Sequence, residues 1–313
     1  MTRVPGRVAR VLALWALGAL AACAPGPRLP PVDATAHHAA LDVWHEEQRA
    51  ELSAPGAPLA YTGLSWLHPG VNAIGADSSN EIVLSGTGVP AHVGALIRDG
   101  SRVRLELAAG ASATINGHAP TVDPLRTDAD SGPSSRVQVG SAGFRLIKRL
   151  DQIGVRRWDD DRPAFRTFRS ARYFSDDVEW RIAGAFVPYP APRTMRVQTE
   201  AGVEQDIPVV GVVRARIGGK RYELTTFEGD SAQDLWIVFK DATNGRESYG
   251  FRYMKAARDT TTNLVILDFN YAYNPDCAYT PYATCPLAPA ENRIHVRIPA
   301  GEQVYETSIA NLK

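Results

Sequence analysis

From Leu64 onward the chain is written in short apolar alternations, broken by glycine- or aspartate-rich turns about every ten residues. Strand-sized segments recur as "EIVL" (81–84), "HVGALIRDG" (92–100), "RVRLEL" (102–107), "SATING" (112–117), "RVQVG" (136–140) and "FRLIKRL" (144–150). That texture predicts an all-β sandwich over residues 60–150. It resumes beyond residue 151. "VEWRIAGAFV" alternates through Trp180, Ile182 and Phe186, and "TMRVQT", "IPVVGVVRARI", "KRYELTTFEG", "DLWIVFKDAT", "ESYGFRYMKA" and "NLVILDFN" continue the series. Turns at Gly218-Gly219 and Asn244-Gly245 separate them. Residues 151–313 are therefore expected as a second antiparallel unit, a sandwich or a partly closed barrel. The fold class is mainly β.

One helix is expected ahead of the strands, over residues 35–54. Leu41, Trp44, Gln48 and Leu52 fall at helical spacing with charge opposite, Thr35 is positioned to cap the start, and Pro55-Gly56 ends it. His37, His38 and His45 on this helix lack a Cys or acidic partner set for a metal, so they are read as a solvated face.

The first 22 residues form a secretory signal. Arg3, Arg7 and Arg10 precede the apolar "VLALWALGALAA", which is short for a membrane span. Leu20-Ala21-Ala22-Cys23 resembles the lipobox of bacterial lipoproteins, which implies lipidation of Cys23, with residues 23–34 as a tether. Acyl chains there would anchor the protein with about 0.8 kcal/mol per buried methylene. The localisation expected is the cell envelope, lipid-anchored and facing the periplasm. Removing the signal takes three arginines and no acid from a chain with 34 basic and 34 acidic residues, leaving about −3. That balance argues against nucleic acid or anionic lipid as the main partner, and no nucleic acid is expected.

Two further resemblances follow from specific blocks. "GVNAIGADSSNEIVL", "VPAHVGALIRDG", "ATINGHAP" and "VQVGSAGFRLIKR" look like the strand order of a forkhead-associated domain. In that family a Gly-Arg pair grips phosphothreonine, but the arginine position here is Ala76, so the resemblance implies a packing role. "GLSWLHPGVNAIG" (63–75), "VEWRIAGAFVPY" (178–189), "FKDATNGRESYG" (239–250) and above all "LDFNYAYNPDCAYTPYATCPLAPAENRIHVRIPAGE" (267–302) are similar to the bacterial family named domain of unknown function 1684. No activity comes with that name.

The last block holds the candidate site. Leu264 to Phe269 reads as a buried strand with Asp268 and Asn270 on one face, and "RIHVRI" as a returning strand. Asp268, Asn270, Asn274, Asn292 and Arg293 are expected to converge beside Tyr249, Arg252 and Tyr273 on a small polar ligand. The same residues also suit a structural loop, with amides satisfying irregular backbone. Cys277 and Cys285, an even pair in an oxidising compartment, are expected to form a disulfide. Residues 145–172 carry nine basic and four acidic side chains, read either as an anion-binding strip or as interdomain salt bridging. No cofactor is called for. The functional expectation is a non-catalytic binding or scaffold lipoprotein, with an envelope protein as a second kind of partner. The alternative is a hydrolase-like enzyme using Asp268 as base and Tyr249 as proton donor.

Overall fold

A computed structural model describes residues 28–163, 167–231 and 233–305. The expected signal peptide and the lipidation residue Cys23 lie outside the described residues. Helix α1 spans Ala34–Leu52, and its cap is Asp33 rather than Thr35: the Asp33 carboxylate accepts from the Ala36 N–H at 3.0 Å. Among the described residues no helix is long and apolar enough to cross a membrane.

Nine strands follow as two facing sheets. One has the order β1 (Tyr61–Trp66), β9 (Gln152–Asp159), β8 (Ala142–Arg149), β7 (Arg136–Val139), β6 (Thr114–Ile115). The other has the order β3 (Ile82–Val83), β2 (Gly70–Gly75), β4 (Gly94–Asp99), β5 (Arg102–Leu107). Ile74, Leu96, Val103, Val137, Phe144, Leu146 and Val155 fill the space between them. Strand β9 pairs with both β1 and β8, so the first unit runs past residue 150. The stretch read as part of a charged strip holds an interior strand of the first unit. Its alternation hides behind charge: Ile153 and Val155 point into the core, and Arg156 points to the other face.

The second unit is a closed barrel of six antiparallel strands in sequence order: β10 (Arg181–Gln198), β11 (Glu204–Ile217), β12 (Lys220–Glu228), β13 (Asp234–Phe239), β14 (Arg252–Arg258) and β15 (Leu264–Asp268). β15 closes the ring on β10, Arg181 opposite Asp268. The segments expected as two strands at 178–187 and 194–199 are one strand. Its register shifts between Pro188 and Arg193, where Pro190 and Pro192 cannot donate to a ladder. Phe186, Val213, Leu224, Ile237, Phe239, Met254, Val265 and Leu267 line the interior.

"RIHVRI" is not a strand. β12 and β13 pair only at Phe227–Trp236 and Glu228–Leu235, and residues 292–296 wedge into the gap as they splay. Ile294 N donates to Lys240 O at 2.7 Å and Ala242 N to Val296 O at 3.0 Å. Ile294, Ile298 and Ala300 then complete the barrel core. Burying those residues inside, rather than extending a sheet, is what ends the ladder.

Candidate functional site

The structure disperses the expected polar set. Asp268 lies on the outer wall of the barrel under α1. Its Oδ2 is 2.8 Å from His37 Nε2 and 3.3 Å from Arg181 Nε, and its Oδ1 accepts from Asn270 N (3.2 Å) and Nδ2 (2.8 Å). The Asn270 side chain also bonds the Asp177 backbone, Oδ1 accepting from Asp177 N (3.0 Å) and Nδ2 donating to Asp177 O (2.9 Å). His37 is only 6% exposed, so the solvated-face reading of this histidine is corrected. It continues the Leu41–Trp44 stripe four residues earlier, and Trp44 packs between Tyr173 and Tyr271. The adjacent, exposed His38 concealed that register. Asp268→Asn should cost about 1–3 kcal/mol and loosen α1 without unfolding the barrel, read by chemical denaturation and protease sensitivity at residues 34–52.

Asn292 does a different job. Its Nδ2 donates to Thr225 O (2.9 Å) and Val238 O (2.8 Å), and its Oδ1 accepts from Thr225 N (2.7 Å). One side chain thus replaces the ladder bonds lost where β12 and β13 separate. Arg252 is buried in the barrel end, donating to Asp241 and to the carbonyls of Ala300 and Ile298. Arg293 is exposed beside Lys240 and His295, on a shallow concavity. Tyr273 pairs with Tyr253 through both backbone groups at 2.9 Å, and the Tyr249 hydroxyl donates to Cys277 O at 3.3 Å. Asp268 and Tyr249 therefore have no partner in common.

Cys277 and Cys285 are free, buried thiols, which corrects the expected disulfide. Cys277 N donates to Cys285 Sγ at 3.1 Å. The loop between them is held by its own turns at Pro275–Ala278 and Asp276–Tyr279, and by packing against Val197, Phe227 and Phe251. It needs no covalent closure to keep this shape. Burial pushes the Cys285 thiol well up, with Cys277 adding to it.

Two features were not read from the sequence. The first is a latch at Glu302. Its carboxyl accepts from Asn274 N (2.8 Å), Asn274 Nδ2 (2.9 Å) and the Tyr279 hydroxyl. Burial raises its pKa to about 7, against those three donors. Gly301 beside it has φ 77°, and a Cβ there would meet Ala272 O at 2.4 Å, so only glycine admits the approach.

The second is the seam where the 276–285 loop meets the sandwich. Arg149 Nε (3.1 Å) and Nη2 (2.7 Å) and Arg156 Nη2 (2.9 Å) all donate to Thr284 Oγ1, and Arg156 Nε donates to Tyr282 O at 3.1 Å. Arg145 donates to the buried Tyr61 hydroxyl, and the Arg145 and Arg156 guanidinium carbons lie 5.7 and 5.3 Å from the Tyr61 ring centre. Burial raises the Tyr61 pKa while the two arginines lower it. Arg149 reaches Asp128 at 2.8 Å. For Arg145 and Arg156 no carboxylate stands within ion-pair distance among the described residues. The exposed Asp276 carboxylate is within electrostatic reach of the same arginines. Desolvation raises its pKa, and Arg156 and Arg145 pull it back. Among the described residues, no cluster of three or more His, Cys, Asp or Glu side chains is placed to hold a metal.

Residues 166–303 match the family described as "Protein of unknown function (DUF1684)". The DUF1684 match takes in the whole barrel and the segment that fills its end, and it leaves out α1 and the sandwich. Among solved structures, the chain is similar to an uncharacterized protein of Haloarcula marismortui determined by solution NMR. Identity is 28%, coverage is 45% of this chain and 80% of that chain, and the TM-score is 0.38. No curated protein matches the chain.

Proposed function

We propose that this protein is a lipid-anchored cell-envelope binding protein that holds a small anionic ligand, without turnover, at the seam between sandwich and barrel. The signal sequence and Cys23 support the anchor and the location. The sandwich, with Ala76 where a forkhead-associated domain has its phosphate-binding arginine, serves as one wall of the site. The observation that carries the reading is Arg156. The residue is 5% exposed, yet its hydrogen bonds go to neutral oxygens, Tyr282 O and Thr284 Oγ1. A buried cation hydrogen-bonded only to neutral groups, with Asp276 acting on it from beyond ion-pair distance, is costly, and an oxyanion bridging Arg145 and Arg156 offsets that cost through charge-assisted bonds. The hydrolase alternative draws less support, because His37 and Arg181 already engage Asp268 and the Tyr249 hydroxyl is tied to Cys277 O.

Thermal shift of residues 24–313 against phosphate, sulfate and small carboxylates tests it. An anion at 100 times its Kd should add about 2.7 kcal/mol to stability. Arg145→Gln, which alters a half-buried side chain at the edge of the seam, should abolish most of the shift while leaving the unliganded midpoint close to native. No shift with any anion, or an equal shift in the variant, overturns the reading.

A further inference from the structure

A separate concavity of 1040 Å³ runs along the outer wall of the barrel, and it is strongly basic. Arg28, Arg181, Arg214, Arg216 and Arg221 line it against Glu179 and Glu223. The alternation of β11 and β12 sends Arg214, Arg216, Arg221 and Glu223 outward while Val213, Ile217 and Leu224 turn into the core. Much of the charge is already balanced. Arg214 Nε binds Glu223 at 2.8 Å, and Arg181 Nε lies 3.3 Å from Asp268. Arg216 and Arg221 are not balanced in this way. They stand directly opposite each other in the β11–β12 register, an arrangement that repels. Arg216 Nη1 donates to a neutral carbonyl, Gly219 O, at 2.6 Å.

The position of this basic face gives it meaning. Arg28 and Leu29, the first described residues, form one edge of the concavity, and Cys23 precedes Arg28 by five residues. Five extended residues reach at most roughly 18 Å. A lipid on Cys23 therefore holds this wall of the barrel, rather than the sandwich, against the bilayer surface. We propose that the groove is a docking site for the phosphates of anionic phospholipid headgroups, with Arg28, Arg216 and Arg221 as the contacting cations. The overall charge of about −3 does not describe this face, and at a membrane only charges within about a Debye length, 8 Å at physiological salt, are felt. The proposal is independent of the seam site, which uses different residues. It rests on the anchor only for orientation.

Vesicle flotation of residues 24–313, a form that removes no described residue, tests the groove without the anchor. Binding to phosphatidylglycerol-containing vesicles, absent with pure phosphatidylcholine and lost in high salt, is the expected result. Arg216→Glu/Arg221→Glu should weaken partitioning by about a hundredfold, with an unchanged melting midpoint because both side chains are solvent-exposed. Equal flotation of this variant, or none for the native chain, overturns the proposal. So does a phosphate-induced thermal shift that depends on Arg216 and Arg221 without vesicle binding, since that identifies a free anion. A phosphate shift that survives in the variant belongs to the seam, and the flotation result alone then decides.

Discussion

Arg252→Met should destabilise the barrel by about 3–5 kcal/mol, the largest effect expected of any single substitution. Arg252 and Asp241 are both sealed from solvent at 0% side-chain exposure, and they are in direct contact. Asp241 also accepts from Thr243 N and Oγ1, each at 2.6 Å. Removing the guanidinium therefore leaves an ionised group buried among neutral donors. It also frees the carbonyls of Ile298 and Ala300, so the segment that fills the barrel end loses its tie to β14. In a chain of this size the midpoint should fall on the order of 10 °C. The double variant Arg252→Met/Asp241→Leu, which removes both charges, should recover part of the loss. A single variant as stable as native would show the pair to be energetically idle.

The second large effect is a pH dependence. Glu302 binds a proton in the folded protein with a pKa of about 7, against 4.5 for the ordinary group. Between those values the folded state carries one proton more than the unfolded state. Stability from this group is thus fully present below pH 4.5 and is lost as pH rises through 7. The slope is about 1.4 kcal/mol per pH unit, roughly 3 kcal/mol in all. Urea denaturation at pH 5 and pH 8 should show the protein more stable at the acid end of that window, and Glu302→Gln should flatten the difference. If Glu302→Gln keeps the full slope, another carboxyl is responsible, with Asp276, also raised by burial, the first to test.

The strands of both units were legible because alternation is local. A residue and its neighbours two positions away report the same face, and the alternation of Trp180, Ile182 and Phe186 named a face that packs on the barrel core. What joins those faces was not legible. His37 meets Asp268 across 231 residues, and Arg156 meets Thr284 across 128; no period in a single sequence encodes such pairings. The 267–302 block was rightly singled out as unusual, but its polar residues serve separate places. Asn292 patches two diverging strands, Asn274 holds Glu302, and Asp268 docks a helix. Residue type suggested one site, whereas the backbone needed three repairs. The arginines at 145–156 were noticed as a charged strip. Their role as a lining became visible only once β9 was seen inside the sandwich, with Arg156 turned away from its core.

The end of the barrel carries a consequence for the order of events in the cell. Ile294, Ile298 and Ala300 belong to the same packed interior as Phe239 and Phe269, yet the ribosome makes them after all six strands. A chain that has produced β10 to β15 holds a ring whose interior is still short of its last side chains and whose wall still gapes between β12 and β13. The barrel is therefore completed only after that last segment has been delivered, so a chain emerging N-terminus first stays loose until its final stretch is available.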